Sequence, residues 1–289
     1  MANIKDLKKK IKSTKSTLKI TQAMKLVSAA KLAKAQHAIV SARPYAEELE
    51  QMIKTAASLV TGYKHDFLKE VENNNHAALL IISSDKGLCG GYNTQLIKQV
   101  RAYLKESDKD FKVFFIGKKA KQVISKEVNS GELFKFDKNE PTFLEVEEVA
   151  TQLSELFKTG EIGSLHVAYN TFYSAMSFDP TIKQLLPLSL PESEKNKLRE
   201  EFPLDFKYEP SATEILNTTI PEAYNSMIYT SILNAHAAEH GSRMSAMESA
   251  SKNCKEAIRE LTIKMNKLRQ AAITTELIEV VSGAESLNG

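Results

Sequence analysis

Cysteine and tryptophan are the residues that this sequence has least of. Its 289 residues include two cysteines, Cys89 and Cys254, and no tryptophan. The two cysteines fit neither a disulfide framework nor the ligand spacing of a metal site, and such low usage is typical of a reducing compartment. The sequence therefore gives no support to a small disulfide-stabilised protein or to a zinc module.

Long hydrophobic runs are also missing. No stretch approaches the roughly 18 apolar residues that a membrane-spanning helix needs. The lysines near the amino terminus are not followed by the apolar segment of a secretory signal. We therefore expect no transmembrane span and no export. Hydrophobic residues still make up 42% of the chain, which is enough for a substantial core.

The sequence carries no convincing nucleotide motif. The glycine-rich stretch Ser84–Asn93 follows a predicted strand and precedes a predicted helix. Its glycine spacing matches neither a dinucleotide fingerprint nor a P-loop. Three hypotheses stay open for this stretch: a nucleotide site, a tight turn at the carboxyl edge of a sheet, and a loop that contacts a partner protein.

One pair of histidines has the spacing of metal ligands. His236 and His240 are placed four apart on a predicted helix, as in an inverted zincin. No third ligand stands out, so we predict two solvated histidines instead. We accordingly expect no catalytic residue, no cofactor and no metal site in this chain.

What the sequence does have is a long apolar seam at each end. From Met244, apolar residues recur at steps of three and four, and neither proline nor glycine occurs before Ser282. This is the period of a coiled coil, and about forty residues give a rod of roughly 60 Å. The amino terminus repeats the spacing, so we predict that the two termini pair antiparallel. The predicted seam residues are Ile4, Leu7, Ile11 and Leu18 on the first helix and Ile258, Leu261, Met265 and Leu268 on the second, which continues after one slip as Ile273, Leu277, Val280, Ala284 and Leu287.

Between the two ends the pattern changes to short strands and helices. Ala77–Ser84 is a nearly continuous apolar run of the kind that forms a strand buried on both faces. This order of elements is typical of a layered α/β domain. The other predicted strands cover 112–117, 164–172 and 181–188, the last antiparallel after a turn at Phe178–Pro180, and the predicted helices cover 93–107, 118–128 and 143–158.

Prolines and a glycine set the expected helix boundaries. Pro44 predicts a kink or break of the first helix near Arg43. Thr219–Glu222 has the pattern of a capping box that starts the last helix, with Gly241 as the weak point of that helix. The predicted fold class is α/β, with a long antiparallel coiled coil of the N- and C-terminal helices and an inserted Rossmann-like α/β domain. The predicted divisions are residues 1–60, 76–208 and 211–287.

Positive charge is concentrated at the amino terminus. Residues 1–34 contain ten lysines and one acidic residue, Asp6. Such an end could meet nucleic acid, a membrane surface or an acidic protein, or it could be a solvated helix face. Interleaved aromatic residues would favour nucleic acid, and residues 1–40 contain none. We therefore predict no nucleic-acid partner.

Three blocks of sequence carry a resemblance to a known family. In chain order they are Ile20–Lys31 (ITQAMKLVSAAK), Ser83–Gly91 (SSDKGLCGG) and Lys267–Ala284 (KLRQAAITTELIEVVSGA). They resemble the amino-terminal signature, the central loop and the carboxyl-terminal signature of the gamma subunit of bacterial F-type (F1Fo) ATP synthases. The stretches around Pro221 and His236–His240 do not resemble that family.

The resemblance implies the central rotor shaft of the F1 sector, with no catalytic site of its own. The implied partners are three alpha and three beta subunits around the coiled coil, and the epsilon subunit and the c-subunit ring against the α/β insert. The implied function couples proton flow through that ring to ATP synthesis or hydrolysis at the beta subunits, peripherally at the cytoplasmic face of the plasma membrane.

The resemblance also implies four contacts with the beta subunit. Arg269 and Gln270 match positions that hydrogen-bond a loop of beta in one rotary state. Met24 matches a shaft residue that faces the beta loop which pushes the shaft. Lys86 matches a basic position near a beta contact.

Overall fold

The computed structural model describes residues 4–59, 63–69, 71, 74–136, 141–188, 209 and 211–288. The chain forms two compact units. The helix-pair unit comprises residues 1–28 and 244–289, and the sheet unit comprises residues 29–243. The predicted end of the inserted domain near residue 208 and the side chain of Leu287 lie outside the described residues.

The sheet unit is built on a mostly parallel sheet. Its strands are β1 (His76–Ile82), β2 (Asp110–Ile116), β3 (Asn129–Phe134), β4 (Ser164–Ser174) and β5 (Ser177–Leu186). Their order across the sheet is β3-β2-β1-β4-β5, in which the first four strands are parallel and β5 is antiparallel to β4. The α/β class and the antiparallel last strand are therefore confirmed.

Five α-helices occur in the part of the chain that the structure describes. They are α1 (Ile4–Leu59), α2 (Tyr92–Glu106), α3 (Lys118–Ile124), α4 (Phe143–Lys158) and α5 (Ala212–Asn288). A capping box starts α4: the Thr142 hydroxyl accepts from the backbone N–H of Glu145, and the Glu145 carboxylate accepts from the backbone N–H of Thr142 at 2.7 Å. Both α1 and α5 contribute residues to each unit.

β1 lies at the centre of the sheet unit. Residues 77–82 are each 1% exposed or less, because the strand has a neighbour on either side and helices over both faces. Successive side chains therefore enter different cores. Ala78, Leu80 and Ile82 pack with residues of α4 and α5, whereas Ala77, Leu79 and Ile81 pack with residues of α2 and α3.

Three local predictions for the sheet unit are wrong. β3 is absent from the prediction because its mostly polar, exposed residues carry the weak hydrophobic signal of an edge strand. α3 ends at Ile124 rather than at residue 128. The turn before β5 falls at Ala175–Met176, and Pro180 lies inside β5 opposite Asn170. An edge strand tolerates a proline because one of its sides makes no ladder hydrogen bonds.

Neither long helix breaks at its proline. α1 continues through Pro44 and α5 continues through Pro221. The break expected near Arg43 does not occur, and the helix start expected at Thr219–Glu222 is wrong. Gly241 also lies within continuous helix.

The start of α5 is determined by Ser211 and not by Thr219. The Ser211 hydroxyl accepts a hydrogen bond from the backbone N–H of Glu214 at 3.2 Å, as an N-cap residue does. A proline inside a helix costs roughly 3 kcal/mol. Around Pro221, burial of Ile220 and Tyr224 offsets that cost, since each large apolar side chain contributes about 1.5–3 kcal/mol when buried.

In the helix-pair unit, α1 and α5 run antiparallel. The Ser251 hydroxyl donates to the Thr21 hydroxyl at 2.8 Å, and about one turn further along α1 the Lys25 ammonium lies 2.7 Å from the Glu248 carboxylate. Covered side chains recur every three or four residues along both helices, as in a coiled-coil seam. They include Ile4, Leu7, Ile11, Thr14, Leu18, Thr21 and Met24 on α1, and Met247, Ser251, Cys254, Ile258, Leu261, Met265 and Leu268 on α5.

The carboxyl-terminal part of α5 has a different surface. Every side chain from 273 to 284 is exposed, and Ile273, Leu277 and Val280 are 48, 60 and 70% exposed. The second stretch of the predicted seam is therefore uncovered by the residues that the structure describes.

Candidate functional site

The glycine-rich stretch is a loop at the carboxyl end of β1. There the ends of β1 and β2 approach closely: Gly117 has a φ of +84°, and a Cβ at this position would lie 2.0 Å from the carbonyl oxygen of Ser83. Only glycine fits such an approach. The Ser83 hydroxyl also accepts from the backbone N–H of Ala120 at 3.1 Å, which ties the start of the loop to α3.

Asn93 organises the inner side of the loop. Its amide oxygen accepts from the backbone N–H of Ser84 at 3.1 Å, and its amide nitrogen donates to the Ser84 hydroxyl at 2.7 Å and to the Cys89 sulfur at 3.2 Å. The Ser84 hydroxyl in turn donates to the carbonyl of Lys86 at 2.8 Å. Cys89 is 2% exposed, so its thiol belongs to the internal structure of the loop.

The loop begins α2 with a deeply buried tyrosine. Tyr92 is fully buried, and its ring packs against Phe178 of β5 with the centroids 5.9 Å apart. Burial, with a smaller effect of the Glu239 charge, raises the pKa of the Tyr92 hydroxyl well above its usual value. This tyrosine therefore anchors the loop and stays protonated at physiological pH.

The outer side of the loop faces away from the core. Leu88 is 66% exposed and adopts a φ of +63°. Lys86, the predicted beta contact, is exposed as well. The loop thus presents an apolar and a cationic side chain that are two residues apart in the sequence.

One turn of α5 holds the backbone of this loop. The Ser242 hydroxyl donates to the carbonyl of Cys89 at 2.6 Å. Nη2 of Arg243 donates to the carbonyls of Lys86 and Gly87 at 3.1 and 3.4 Å. These three carbonyls are bonded to α5, and the apex of the loop is exposed. This arrangement favours the contact-loop hypothesis among the three left open by the sequence.

A basic cavity lies beside the loop. It has a volume of about 340 Å³, and its lining includes the cationic residues Lys31, Lys86, Lys118, Lys135 and Arg243. Its two acidic residues already have partners. The Asp85 carboxylate accepts from the backbone N–H of Lys118 at 3.1 Å, and Glu239 pairs with Arg243 at 2.7 Å. The cavity is therefore positively charged and suited to an acidic partner.

The two spaced histidines also border this cavity. His240 is buried, and its Nδ1 lies 3.5 Å from Nη1 of Arg243. His236 is half-buried. The prediction of two solvated histidines is therefore wrong for His240, because the helix that carries it packs onto the glycine-rich loop. Within the described ranges, no group of three His, Cys, Asp or Glu side chains is placed to hold a metal ion.

The structure does not gather the four predicted beta-contact residues at one point. Met24 is half-buried in the helix-pair unit, where Arg269 and Gln270 are exposed on α5. The Lys25–Glu248 pair fixes the register, so Met24 and Arg269 are about 30 Å apart along the helix axis at 1.5 Å per residue. Lys86 belongs to the sheet unit.

The residues that organise the loop were not predicted from the sequence. Glu239, Ser242 and Arg243 are polar residues on a mostly apolar stretch of helix, and all three are largely buried. Their signal in the sequence is weak, because a polar residue on a helix is more often solvated. Leu88 could have been found only from its place in the glycine-rich stretch.

Comparisons with known proteins give one consistent family. The family model described as ATP synthase matches residues 3–287. The ATP synthase gamma chain of Trichlorobacter lovleyi is 38% identical over 292 residues, covering 100% of both chains. The ATP synthase gamma chain of Desulfitobacterium hafniense is 35% identical over 295 residues, covering 99% of this chain and 100% of that one.

Two of the solved structures with a similar fold are chains of mitochondrial ATP synthases. A chain from the Euglena gracilis enzyme, seen by cryo-EM with OSCP, F1 and the c-ring, superposes with a TM-score of 0.68 at 21% identity and covers 98% of this chain and 94% of that one. A chain from the central stalk and c-ring of the Tetrahymena thermophila enzyme has a TM-score of 0.58 at 24% identity, covering 80% and 99%. At these identities the similarity concerns the fold.

Proposed function

The chain belongs to the ATP synthase gamma-chain family, and we propose how its surfaces serve the rotor shaft of that complex. Three alpha and three beta subunits surround the helix pair, and the epsilon subunit and the c-subunit ring contact the sheet unit. Rotation couples proton flow through the ring to ATP synthesis or hydrolysis. No described helix has the length and apolar character needed to cross a bilayer, and we place the subunit peripherally at the cytoplasmic face of the plasma membrane.

The exposed end of α5 is the observation that carries this proposal. Beyond Ala272 the helix keeps Ile273, Leu277 and Val280 at the surface, together with Ile278 and Val281. A helix with apolar residues exposed on several sides requires cover from other chains. A surrounding ring of alpha and beta subunits provides such cover and still permits rotation, because apolar contacts are not directional.

We propose that three parts of the chain have separate roles. Residues 1–60 and 211–287 supply the coiled-coil helices, and residues 76–208 supply the domain at the foot of the shaft. We assign the seam to Ile4, Leu7, Ile11, Leu18, Ile258, Leu261, Met265 and Leu268. An interlocked seam gives the stiffness that transmitting torque requires.

Polar and cationic side chains supply the proposed beta contacts. Arg269 and Gln270 follow Leu268 on an exposed face of α5, where they are available to hydrogen-bond a loop of beta. Met24 and Lys86 contact beta at two other points. Exposed ion pairs contribute only about 0–1 kcal/mol each, so a cationic surface can guide the shaft without holding it at one angle.

The chain has no catalytic role of its own in this proposal. The beta subunits carry out the chemistry, and the shaft makes their sites inequivalent by presenting a different face to each. Coupling of this kind requires only a difference in contact energy between states. Conversely, each beta site that changes state applies force to the shaft.

Reconstitution tests the function directly. The chain is co-expressed with the alpha, beta and epsilon subunits of its own organism, and affinity purification is followed by assay of ATP hydrolysis. We expect a complex that contains all four subunits and hydrolyses ATP, and a bead attached to the sheet unit that rotates in steps. An alpha–beta complex that hydrolyses ATP equally well without the chain, or a static bead, would contradict the proposal.

A further inference from the structure

Leu88 combines two properties that rarely occur together. Its φ of +63° lies in the left-handed region, which is unfavourable for a branched apolar residue. The side chain is also 66% exposed, so its own burial does not offset the strain. Backbone strain of this kind persists where the surroundings enforce it, and it is concentrated at ligand contacts and switches.

Two residues of α5 enforce the conformation from both sides. Arg243 donates to the carbonyls of Lys86 and Gly87, at 3.1 and 3.4 Å. Ser242 donates to the carbonyl of Cys89 at 2.6 Å. Backbone carbonyls on both sides of Leu88 in the sequence are therefore bonded to one turn of the same helix, while the Leu88 side chain lies at the surface.

Arg243 is itself held by Glu239, one turn earlier. Their side chains pair at 2.7 Å and are only 10% and 14% exposed. A buried ion pair is weak evidence for a stabilising role, because desolvation of two charges can exceed their attraction. The planar guanidinium does allow one arm to bond the carboxylate while the other reaches two carbonyls. This geometry is suited to orienting the backbone of the loop.

We propose that Arg243 is a positioning residue, which with Ser242 holds Leu88 outward as an apolar contact for a loop of the beta subunit. The inference rests on the proposed function. The matching loop on beta has an apolar side chain that meets Leu88 and an acidic side chain that meets Lys86. Force applied to Leu88 passes through three hydrogen bonds into α5, the helix that continues into the helix pair.

The experiment uses the reconstituted complex in vesicles and measures protons pumped per ATP hydrolysed. We expect Leu88→Gly to lower this ratio severalfold. Glycine adopts φ > 0 without strain, so this variant is expected to remain folded. Arg243→Gln is expected to give the same loss. Arg101→Gln, which removes the exposed ion pair between Arg101 of α2 and Glu127 just after α3, serves as the control and is expected to change nothing.

Two further variants separate positioning from general structure. The double variant with Arg243→Gln and Leu88→Gly is expected to be no worse than either single variant, because both act through one contact. Arg243→Lys is expected not to restore pumping, since one ammonium cannot bond a carboxylate and two carbonyls together. Additive losses, full pumping with Leu88→Gly, or rescue by lysine would each overturn the proposal.

The unaltered chain separates failure of this inference from failure of the proposed function. If the wild-type complex assembles and pumps while all the variants match it, only the positioning role of Arg243 is wrong. If the wild-type chain does not assemble with alpha and beta, the proposed function itself is wrong.

Discussion

The sheet unit buries a large apolar core on both faces of its sheet, whereas the helix-pair unit leaves most of its apolar side chains partly covered. Residues 77–82 of β1 are at most 1% exposed, while Leu7 and Met247 are the only large apolar side chains fully buried among the described residues of the helix pair. The reason is geometric. A central strand has helices over both faces, but a helix in a pair meets its neighbour along a single stripe.

The helix pair combines buried polar side chains with exposed apolar ones. The helix pair buries Thr21 and Ser251, which satisfy each other with a hydrogen bond of 2.8 Å, and it leaves Ile20, Leu26 and Val27 more than half exposed. A folded domain rarely exposes large apolar side chains next to one another. This surface fits the proposed function, in which other subunits cover the helix pair.

The largest expected effect comes from a comparison of two leucine-to-alanine substitutions, one in each unit. Leu79→Ala in β1 is expected to destabilise the sheet unit by about 2–5 kcal/mol, because the shortened side chain leaves a cavity that its tightly packed neighbours cannot fill. Leu268→Ala, at a half-covered position of α5, is expected to cost about 1 kcal/mol or less in the isolated chain. Hydrogen exchange of the amides in β1 and in α5 measures the two free energies of opening. Equal losses would contradict the contrast.

A buried histidine gives the sheet unit a pH dependence. His166 is hydrogen-bonded to Ser164 and Tyr103 at 3.1 and 3.2 Å. Burial, with a smaller effect of the Lys109 charge, lowers the pKa of His166 from 6.5 to about 4. As pH falls, the unfolded chain takes up the proton first. Stability that is complete above pH 6.5 is therefore lost progressively down to about pH 4, by a total of about 3 kcal/mol.

The measurement is the free energy of opening of β4 as a function of pH. His166→Gln is expected to flatten the curve between pH 6.5 and 4, since an amide can hydrogen-bond but does not titrate in this range. His37→Gln, at an exposed position of α1, is the control and is expected to leave the curve unchanged. A wild-type curve that is flat over this range would rule out the role assigned to His166.

The exposed polar residues of the helix pair are expected to affect turnover rather than stability. Arg269→Ala with Gln270→Ala is expected to slow ATP hydrolysis and proton pumping by the complex about tenfold, because a charge-assisted hydrogen bond contributes roughly 1.5–3 kcal/mol. Solvated surface residues would change stability by within about 0.5 kcal/mol and leave turnover unaltered. Lys252→Ala with Asn253→Ala, another exposed cation–amide pair on α5, is the matched control. Wild-type rates in the variant with both Arg269 and Gln270 replaced would show that these residues are not the proposed contacts with the beta subunit.

The part of the structure that could be predicted from the sequence is the part with local signals. The apolar run of β1 and the three-four spacing of the helix pair depend on neighbours in the chain, so both were predicted. β3 was not, because an edge strand needs few apolar residues. Arg243 was missed for another reason: its contact with Lys86 joins residues 157 positions apart, and no local pattern marks such a pairing. The continuity of α5 through Pro221 likewise depends on core packing that only the fold provides.

The smallest effect, and the one that changes sign between the units, concerns two glycines of the same helix. In a helix, alanine is favoured over glycine by roughly 0.5–1 kcal/mol. At Gly283 an added Cβ would meet nothing within 4 Å, so Gly283→Ala is expected to stabilise the end of α5 by up to that amount. At Gly241 the same Cβ would lie 3.1 Å from the Cα and 3.2 Å from the carbonyl oxygen of Ala175. Crowding of a packed site typically costs about 1–3 kcal/mol, so Gly241→Ala is expected to be a net loss of about 1 kcal/mol. Hydrogen exchange along α5 in the two variants measures both changes. A gain at both positions would mean that the β4–β5 turn yields to the methyl group, and that packing against this turn is not what requires glycine at position 241.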